Sequence, residues 1–205
     1  MSIFSKLKDM QSFHESGTAA SANFSEQFGE PAYSLYTSLD FGSMSAALHN
    51  QINVTDENDE VKYTTSTKVV SIKNKTDILD AAGNKVAYME RKPVSLHEKR
   101  LIEMADGTKF TLSNELFHLV KDITNIEGLG WQLEGNILGL NFTLKDQFGQ
   151  PVAAIGQKML SLHDKYCIDI YQPQFEKEVV TIVIALEKMI KDRENSSSAV
   201  DFSGQ

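Results

Sequence analysis

Residues 176–194 read EKEVVTIVIALEKMIKDRE, and this stretch decides the fold. Pro173 lies just before it, where the missing amide of a proline costs a helix little. Apolar side chains cover nearly the whole circumference for two turns, whereas a surface helix shows an apolar stripe and a polar opposite face. The uncharged part, Val179–Leu186, is far shorter than the roughly 20 residues that cross a bilayer. The stretch therefore predicts a helix buried in a protein core, with its charged second half, Glu187–Glu194, leaving that core.

The middle of the chain has the alternation of β-strands. Val61, Tyr63 and Thr65 alternate with polar residues, and turn signals such as Ala82-Gly83-Asn84 recur at short spacing. A helix that is apolar on all sides needs a surface around it, which a closed barrel supplies while it removes open sheet edges. We therefore predict an all-β fold with one helix: a closed β-barrel of roughly 12 strands around a central, hydrophobic C-terminal α-helix. An α+β sandwich with the helix on one sheet face is the rival.

An internal repeat supports many short strands. When Ile78–Met104 is placed over Leu144–Ile170 without a gap, ten of 27 positions are identical. Unrelated sequences of average composition would match at about two positions. We interpret the two segments as a duplicated unit of strand, turn, strand, connection and strand.

The third strand of each unit has a predicted inner and outer side. In the second copy, Ile168 and Ile170 should face the core, and Asp169 should face water. Cys167 then lies on the same side as Asp169, so we expect it to be less buried than a typical lone cysteine.

Length, charge and cysteine content bound the class of protein. The chain has 205 residues with a net charge of -8, which excludes a generally basic surface that coats nucleic acid. A single cysteine excludes an internal disulfide and a multi-cysteine zinc site. No secretory signal and no transmembrane segment is evident, so a cytoplasmic protein is expected. We predict a tail or linker over residues 1–30, either unstructured or with a short helix, a barrel domain over 31–194 and a disordered tail over 195–205.

The pattern resembles the LURP-one-related family, which shares the tubby C-terminal-like fold. The segments that carry this resemblance are the two repeated units, a strand before the second unit, the last strand and the helix. They are Ile78–Val86, Phe142–Val152, Leu133–Gly139, Asp164–Ile170 and Val180–Leu186. The resemblance covers about Leu35 to Asp192. It implies a barrel of about twelve strands around a hydrophobic C-terminal helix.

For function, the resemblance implies little that is specific. Tubby domains bind phosphoinositides at a basic surface pocket and tether to membranes, but no Lys/Arg motif of this chain matches that pocket. The residues themselves give one candidate. The stretch Lys73–Arg100 is locally positive, and we predict anion or lipid binding by Arg91, Lys92, Lys99 and Arg100. The alternative is a set of solvent-facing strand positions that discourage edge pairing.

These observations predict a non-enzymatic binding or membrane-tethering module without a cofactor. Its partner would be an anionic membrane lipid at the inner membrane surface or a protein, and a protein-interaction scaffold is the alternative function. An enzyme would need an open cavity, but the predicted helix fills the barrel.

Three further features have a structural and a functional interpretation. His97 and His163 are equivalent in the two repeats, so they either form part of a metal site or merely repeat a Ser-Leu-His turn. The acidic run Asp56–Glu60 lacks the Gly and Glu of a calcium loop, which favours a hairpin turn. Trp131 is either an exposed anchor or packs into the end of the barrel, and we favour packing.

Overall fold

A computed structural model describes residues 19–38, 52–68, 75–92, 99–113, 124–136, 141–157 and 165–201. Within these ranges the chain forms two α-helices and twelve strands. The helices are α1 (Ala19–Phe28) and α2 (Glu176–Asp201), and Pro173–Phe175 forms a 3-10 turn before α2. The strands are β1 (Tyr33–Ser38), β2 (Asn53–Thr55), β3 (Val61–Lys68), β4 (Lys75–Asp80), β5 (Lys85–Lys92), β6 (Lys99–Met104), β7 (Lys109–Ser113), β8 (Thr124–Ile126), β9 (Trp131–Asn136), β10 (Asn141–Lys145), β11 (Pro151–Gln157) and β12 (Lys165–Ile170).

The strands form one antiparallel sheet in the order β7-β6-β5-β4-β3-β2-β1-β12-β11-β10-β9-β8. Two meanders are joined where β1 pairs with β12, from Tyr33 opposite Ile170 to Ser38 opposite Lys165. The outer strands β7 and β8 meet at a single bridge, in which the amide of Thr111 donates to the carbonyl of Glu127 at 2.9 Å. The sheet is therefore a nearly closed barrel, and the predicted fold class is confirmed.

Gly128 lets the barrel close at this bridge. Its φ is +103°, and a Cβ at this position would lie 2.4 Å from the carbonyl oxygen of Lys109. That distance is too short for any side chain, and the backbone conformation also disfavours one. Strands β7 and β8 can therefore approach each other only because residue 128 is glycine.

The duplication seen in the sequence is present at atomic detail. Asp80 Oδ1 accepts hydrogen bonds from the amides of Ala82 and Asn84, and Asp146 Oδ1 accepts them from the amides of the two equivalent residues. Both hairpins also shift register at equivalent positions, after Ile78 and after Leu144. A side chain that caps its own turn in this way fixes the hairpin, so the repeat encodes the turn as well as the strands.

Helix α2 occupies the interior of the barrel. Every side chain from Val179 to Ile190 is buried, and the sheet contributes inward-facing apolar residues from all around it. Trp131 is 5% exposed and packs edge-on against Phe175 at 5.1 Å between ring centroids, so the predicted packing of the indole into the barrel end is confirmed. The buried helix predicted from residues 176–194 is also confirmed.

The prediction that the charged half of α2 leaves the core is wrong for its first residues. Glu187 is 2% exposed and Lys188 is 8% exposed, because each charge has an opposite charge nearby. The helix also continues to Asp201, beyond Glu194, where the charge pattern predicts its end.

Helix α1 lies within the segment that we expected to be a tail or linker. It packs against β10 and β11, and Phe24 is 4% exposed in an edge-on contact with Tyr171. This aromatic contact stabilises the helix by tertiary packing, which a short Ser- and Ala-rich segment needs in order to be helical. The domain boundaries at 31 and 194 stay a prediction.

The expected exposure of Cys167 and Asp169 is wrong. The two side chains do lie on the same side of β12, where the thiol donates to Asp169 Oδ1 at 3.2 Å. Both are buried, at 6% and 2% exposure, and Asp169 also accepts a hydrogen bond from the Ser34 hydroxyl. A carboxylate can be buried when hydrogen bonds replace its water, so alternation alone did not determine exposure.

The barrel has two unlike ends. Because successive strands alternate in direction, the turns between β2–β3, β4–β5, β6–β7 and β10–β11 lie at one end, together with the start of α2. We call this the turn end. The opposite end, where β5 ends, β6 begins and the second half of α2 lies, we call the exit end.

Candidate functional site: a lysine face and a tyrosine cleft

The four predicted anion-binding residues come together at the exit end, where β5 pairs with β6. Arg91 lies opposite Arg100 and Lys92 lies opposite Lys99. Cross-strand partners share a side of the sheet, and successive residues point to opposite sides. The pleat therefore separates the four into an arginine pair on the inner side and a lysine pair on the outer side, instead of a single basic surface.

Arg100 is part of the barrel interior. It is 1% exposed, on the same side of β6 as the buried Ile102 and Met104, and its guanidinium donates to Asp192 of α2. Arg100, which we predicted to bind an anion or lipid as part of a basic face, is thus buried in the structure. Its geometry is that of a buried ion pair which attaches the wall of the barrel to the central helix.

A charged cluster surrounds this pair inside the exit end. Burial, and then the nearby charge of Arg100, lower the pKa of Lys188 to about 8, and Asp192 and Glu187 oppose that change. Burial raises the pKa of Glu187, whose carboxylate lies 3.0 Å from Lys191 Nζ. Three cations, Arg100, Lys188 and Lys191, thus alternate with two carboxylates, Glu187 and Asp192, so most of the charge is compensated within the cluster.

The outer side carries the lysine pair. Lys92 is exposed, and no carboxylate forms an ion pair with it in the part of the chain that the structure describes. Lys99 Nζ lies 4.0 Å from the mostly exposed carboxylate of Glu127, at the limit of an ion pair. On the neighbouring strand Lys75 Nζ lies 5.7 Å from the ring centroid of Tyr88. Lys75, Lys92 and Lys99 form what we call the lysine face.

A second site lies at the turn end, and no pattern in the sequence indicated it. A cleft of about 530 Å³ runs beside β1, bounded by the chain that enters this strand, the β2–β3 turn and the first residue of α2. Its lining includes Tyr33, Tyr36, Glu30, Glu57, Asp56, Lys62 and Glu176. We call it the tyrosine cleft. No local motif could have shown it, because its walls come from three distant segments of the chain.

Two phenols fix the carboxylate at the floor of the tyrosine cleft. The hydroxyls of Tyr33 and Tyr63 both donate to Glu176, one to each oxygen. Burial is the main cause that raises the pKa of both tyrosines, and the Glu176 carboxylate raises it further. The arrangement holds the first turn of α2 to β1 and β3.

The cation in this cleft is already paired. Lys62 Nζ lies 3.1 Å from Asp56 and 3.8 Å from Glu60, and the Asp56 hydrogen bond is the largest cause that raises the pKa of Lys62. Glu30 and Glu57 have no ion-pair partner among the described residues. The tyrosine cleft therefore presents negative potential beside aromatic rings.

The other features that we singled out in the sequence add no further binding site among the described residues. His97 and His163 lie outside the described residues, so the metal hypothesis stays untested. Among the residues that are described, no group of three or more His, Cys, Asp or Glu side chains is placed to hold a metal ion. Across the same residues, no helix is long and apolar enough to cross a membrane. The acidic run Asp56–Glu60 forms the β2–β3 hairpin turn that we predicted, with Asp56 Oδ1 accepting from the amide of Asn58.

Comparison with known proteins assigns the family. The model of the family described as LURP-one-related matches residues 42–187, which is more than half of the chain. The chain belongs to the LURP-one-related family. A search of curated proteins found no match to this LURP-one-related protein. Among solved structures it is similar to the X-ray structure of a protein from Arabidopsis thaliana, with a TM-score of 0.51 and 13% identity over 78% of this chain and 93% of that chain. At this identity the likeness supports the fold alone.

Proposed function

We propose that this LURP-one-related protein is a non-enzymatic binding module whose lysine face contacts anionic lipid headgroups at a membrane surface. One observation carries the proposal: Lys92 and Lys99 lie directly opposite each other on the outside of the barrel. Like charges in this position repel, and the pair destabilises the sheet by a few tenths of a kcal/mol to about 1 kcal/mol. An anion bound between the two ammonium groups would remove that repulsion.

The neighbouring strands extend the positive edge. Lys75 of β4 lies on the same outer surface, where the register places it between Lys68 of β3 and Glu90 of β5. Each lysine held near an anionic bilayer contributes about 1 kcal/mol of attraction, which falls off within a Debye length. Three or four such residues are enough for a salt-sensitive, reversible attachment, of the kind that suits a protein at the inner membrane surface.

The interior of the barrel favours surface binding over catalysis. Small-molecule and catalytic sites in barrels use an open interior or mouth. Here α2 fills the core, with side chains from Val179 to Leu186 completely buried. A non-enzymatic role that uses the outer surface is consistent with this packing.

Vesicle co-sedimentation tests the proposal. The full chain is mixed with phosphatidylcholine vesicles with and without phosphatidylserine, at low and at physiological salt. We expect binding only to the anionic vesicles, weaker at higher salt, and lost in the variant Lys92→Glu/Lys99→Glu. The matched control is Lys109→Glu/Lys177→Glu, which changes the net charge equally at the turn end and should keep binding. Equal binding by both variants, or no preference of the wild type for anionic vesicles at low salt, contradicts the proposal.

A protein-interaction scaffold is the second candidate function, favoured by Phe148. This side chain is 76% exposed at the tip of the β10–β11 turn, where the equivalent residue of the first repeat is Ala82. Exposed aromatic residues on rigid turns are typical anchors of protein interfaces. A partner captured from lysate by the wild type and by Lys92→Glu/Lys99→Glu, but not by Phe148→Ser, would favour the scaffold over lipid binding.

A further inference from the structure

We propose that the tyrosine cleft binds a basic peptide segment by taking up an arginine or lysine side chain. The cleft lies at the turn end, away from the lysine face, so this inference is independent of the proposed lipid contact. Its volume of about 530 Å³ falls within the roughly 300–1,000 Å³ of ordinary ligand sites. That space accommodates a few residues of an extended peptide.

The aromatic walls suit a cation. Tyr33 and Tyr36 of β1 both line the cleft, three positions apart and therefore on opposite sides of the strand, and Tyr33 is 37% exposed. An ammonium or guanidinium group over a tyrosine face gains cation–π attraction, which is stronger for a partly desolvated site. Burial raises the pKa of Tyr36 to about 12, so this phenol is uncharged at physiological pH.

The carboxylates supply the charge. Glu176 is held at the floor by the hydroxyls of Tyr33 and Tyr63, which fixes its position before any ligand arrives. Glu30 and Glu57 stand exposed at the rim without an ion-pair partner among the described residues. Lys62, which lines the same space, is engaged by Asp56 and Glu60. The net charge of the lining is therefore negative, which favours a cationic ligand and opposes an anionic one.

A peptide is favoured over a free amine because of the shape. The cleft is open along β1 and is bounded on one side by the exposed β2–β3 turn, so a chain can lie along it. A short strand of peptide would place one basic side chain against Tyr36 near Glu57 and a second basic side chain near Glu30. A free amino acid would use only the first of these contacts.

Titration calorimetry with acetylated and amidated tri-arginine tests the inference on the full chain. We expect saturable binding that is about tenfold weaker in Glu30→Gln/Glu57→Gln, since two attractive charges are lost. The control variant Glu103→Gln/Glu134→Gln removes the same charge at exposed positions outside the lining and should change affinity less than about twofold.

Three results would overturn the inference. They are no saturable binding by the wild type, equal loss in the two variants, and binding of acetylated arginine amide as tight as that of tri-arginine. Circular dichroism of each variant confirms that it is folded, which is expected because all four substituted side chains lie at exposed positions. Failure of this test leaves the vesicle experiment unaffected, because the lysine face is intact in all of these variants.

Discussion

The guanidinium of Arg100, on the inner side of the barrel wall at the exit end, donates to the carboxylate of Asp192 on the central helix, and the carboxylate carries most of the pair's exposure. Arg100 has 2% of its side chain exposed, whereas Asp192 has 28%. The two partners therefore differ in what they lose when the other is removed. A buried cation that loses its partner cannot be hydrated, but a partly exposed carboxylate can.

Substitution of either partner should reveal this asymmetry. Asp192→Ala is expected to lower the free energy of unfolding by about 2 kcal/mol, because the buried guanidinium loses its carboxylate. Arg100→Met should cost less, about 1 kcal/mol, since methionine fills similar space and Asp192 hydrates. Urea denaturation of both variants gives the comparison. A larger loss in Arg100→Met than in Asp192→Ala would contradict the assignment.

Lys188 should make the barrel more stable as the pH rises from about 8 towards 10. Burial lowers its pKa in the folded protein from 10.5 to about 8. Between these values the unfolded chain binds more protons than the folded chain, so stability increases with pH, by up to roughly 3 kcal/mol. Below pH 8 the lysine is charged in both states and adds no pH dependence.

The measurement is the free energy of unfolding in urea at several pH values between 7.5 and 9.5. The variant Lys188→Met should remove the slope. Above this range, tyrosines ionise in the unfolded chain but not in the folded protein, where the pKa of Tyr33 and of Tyr63 is raised. The free energy of unfolding then falls as the pH rises, so the upper limit of the range avoids this second effect. A slope that is the same in wild type and variant would show that Lys188 is not its source.

Tyr63→Phe should destabilise the start of α2. The phenol is buried at 6% exposure and donates to Glu176, so its loss is expected to cost about 1 kcal/mol. Tyr33→Phe removes the second donor to the same carboxylate, but Tyr33 is 37% exposed and water can replace it. The midpoint temperature of thermal unfolding should therefore be lower for Tyr63→Phe than for Tyr33→Phe. The reverse order would argue against a shared anchor at Glu176.

Gly128→Ala should open the barrel at the β7–β8 bridge. The added methyl would lie 2.4 Å from the Lys109 carbonyl, in a backbone conformation that already disfavours alanine. A loss of about 2–4 kcal/mol is expected, with faster hydrogen exchange at the Thr111 amide, which donates across the bridge. Gly149→Ala is the control: its φ is +74° but nothing lies within 4 Å, so only the backbone cost of about 1 kcal/mol applies.

Much of the architecture was predictable because local sequence patterns determine it. The apolar helix and the two copies of the repeated unit could be recognised from spacing alone, and together they required a surrounding sheet. Alternation along β6 also places Arg100 on the side of Ile102 and Met104. We nevertheless included Arg100 in one basic face with Lys99, and the alternation that separates the two residues was not applied there.

The rest depends on pairs that are distant in sequence. Arg100 is buried because Asp192 reaches it, and Asp169 is buried where the distant Ser34 hydroxyl donates to it. Composition and spacing carry no information about such partners. The tyrosine cleft has the same origin, since Glu176 meets Tyr33 only in the folded barrel.

The pairing of β1 with β12 also determines when this protein can fold during synthesis. A nascent chain that has reached β7 holds a meander whose first strand lacks its neighbour and whose apolar inner surface faces water. Neither defect is repaired until β12 and then α2 have left the ribosome. Folding therefore waits until α2 has been synthesised and depends on contacts between remote parts of the chain, which makes it slow. The unfinished barrel is a natural client for chaperones, and a truncation that removes α2 should aggregate instead of forming a smaller domain.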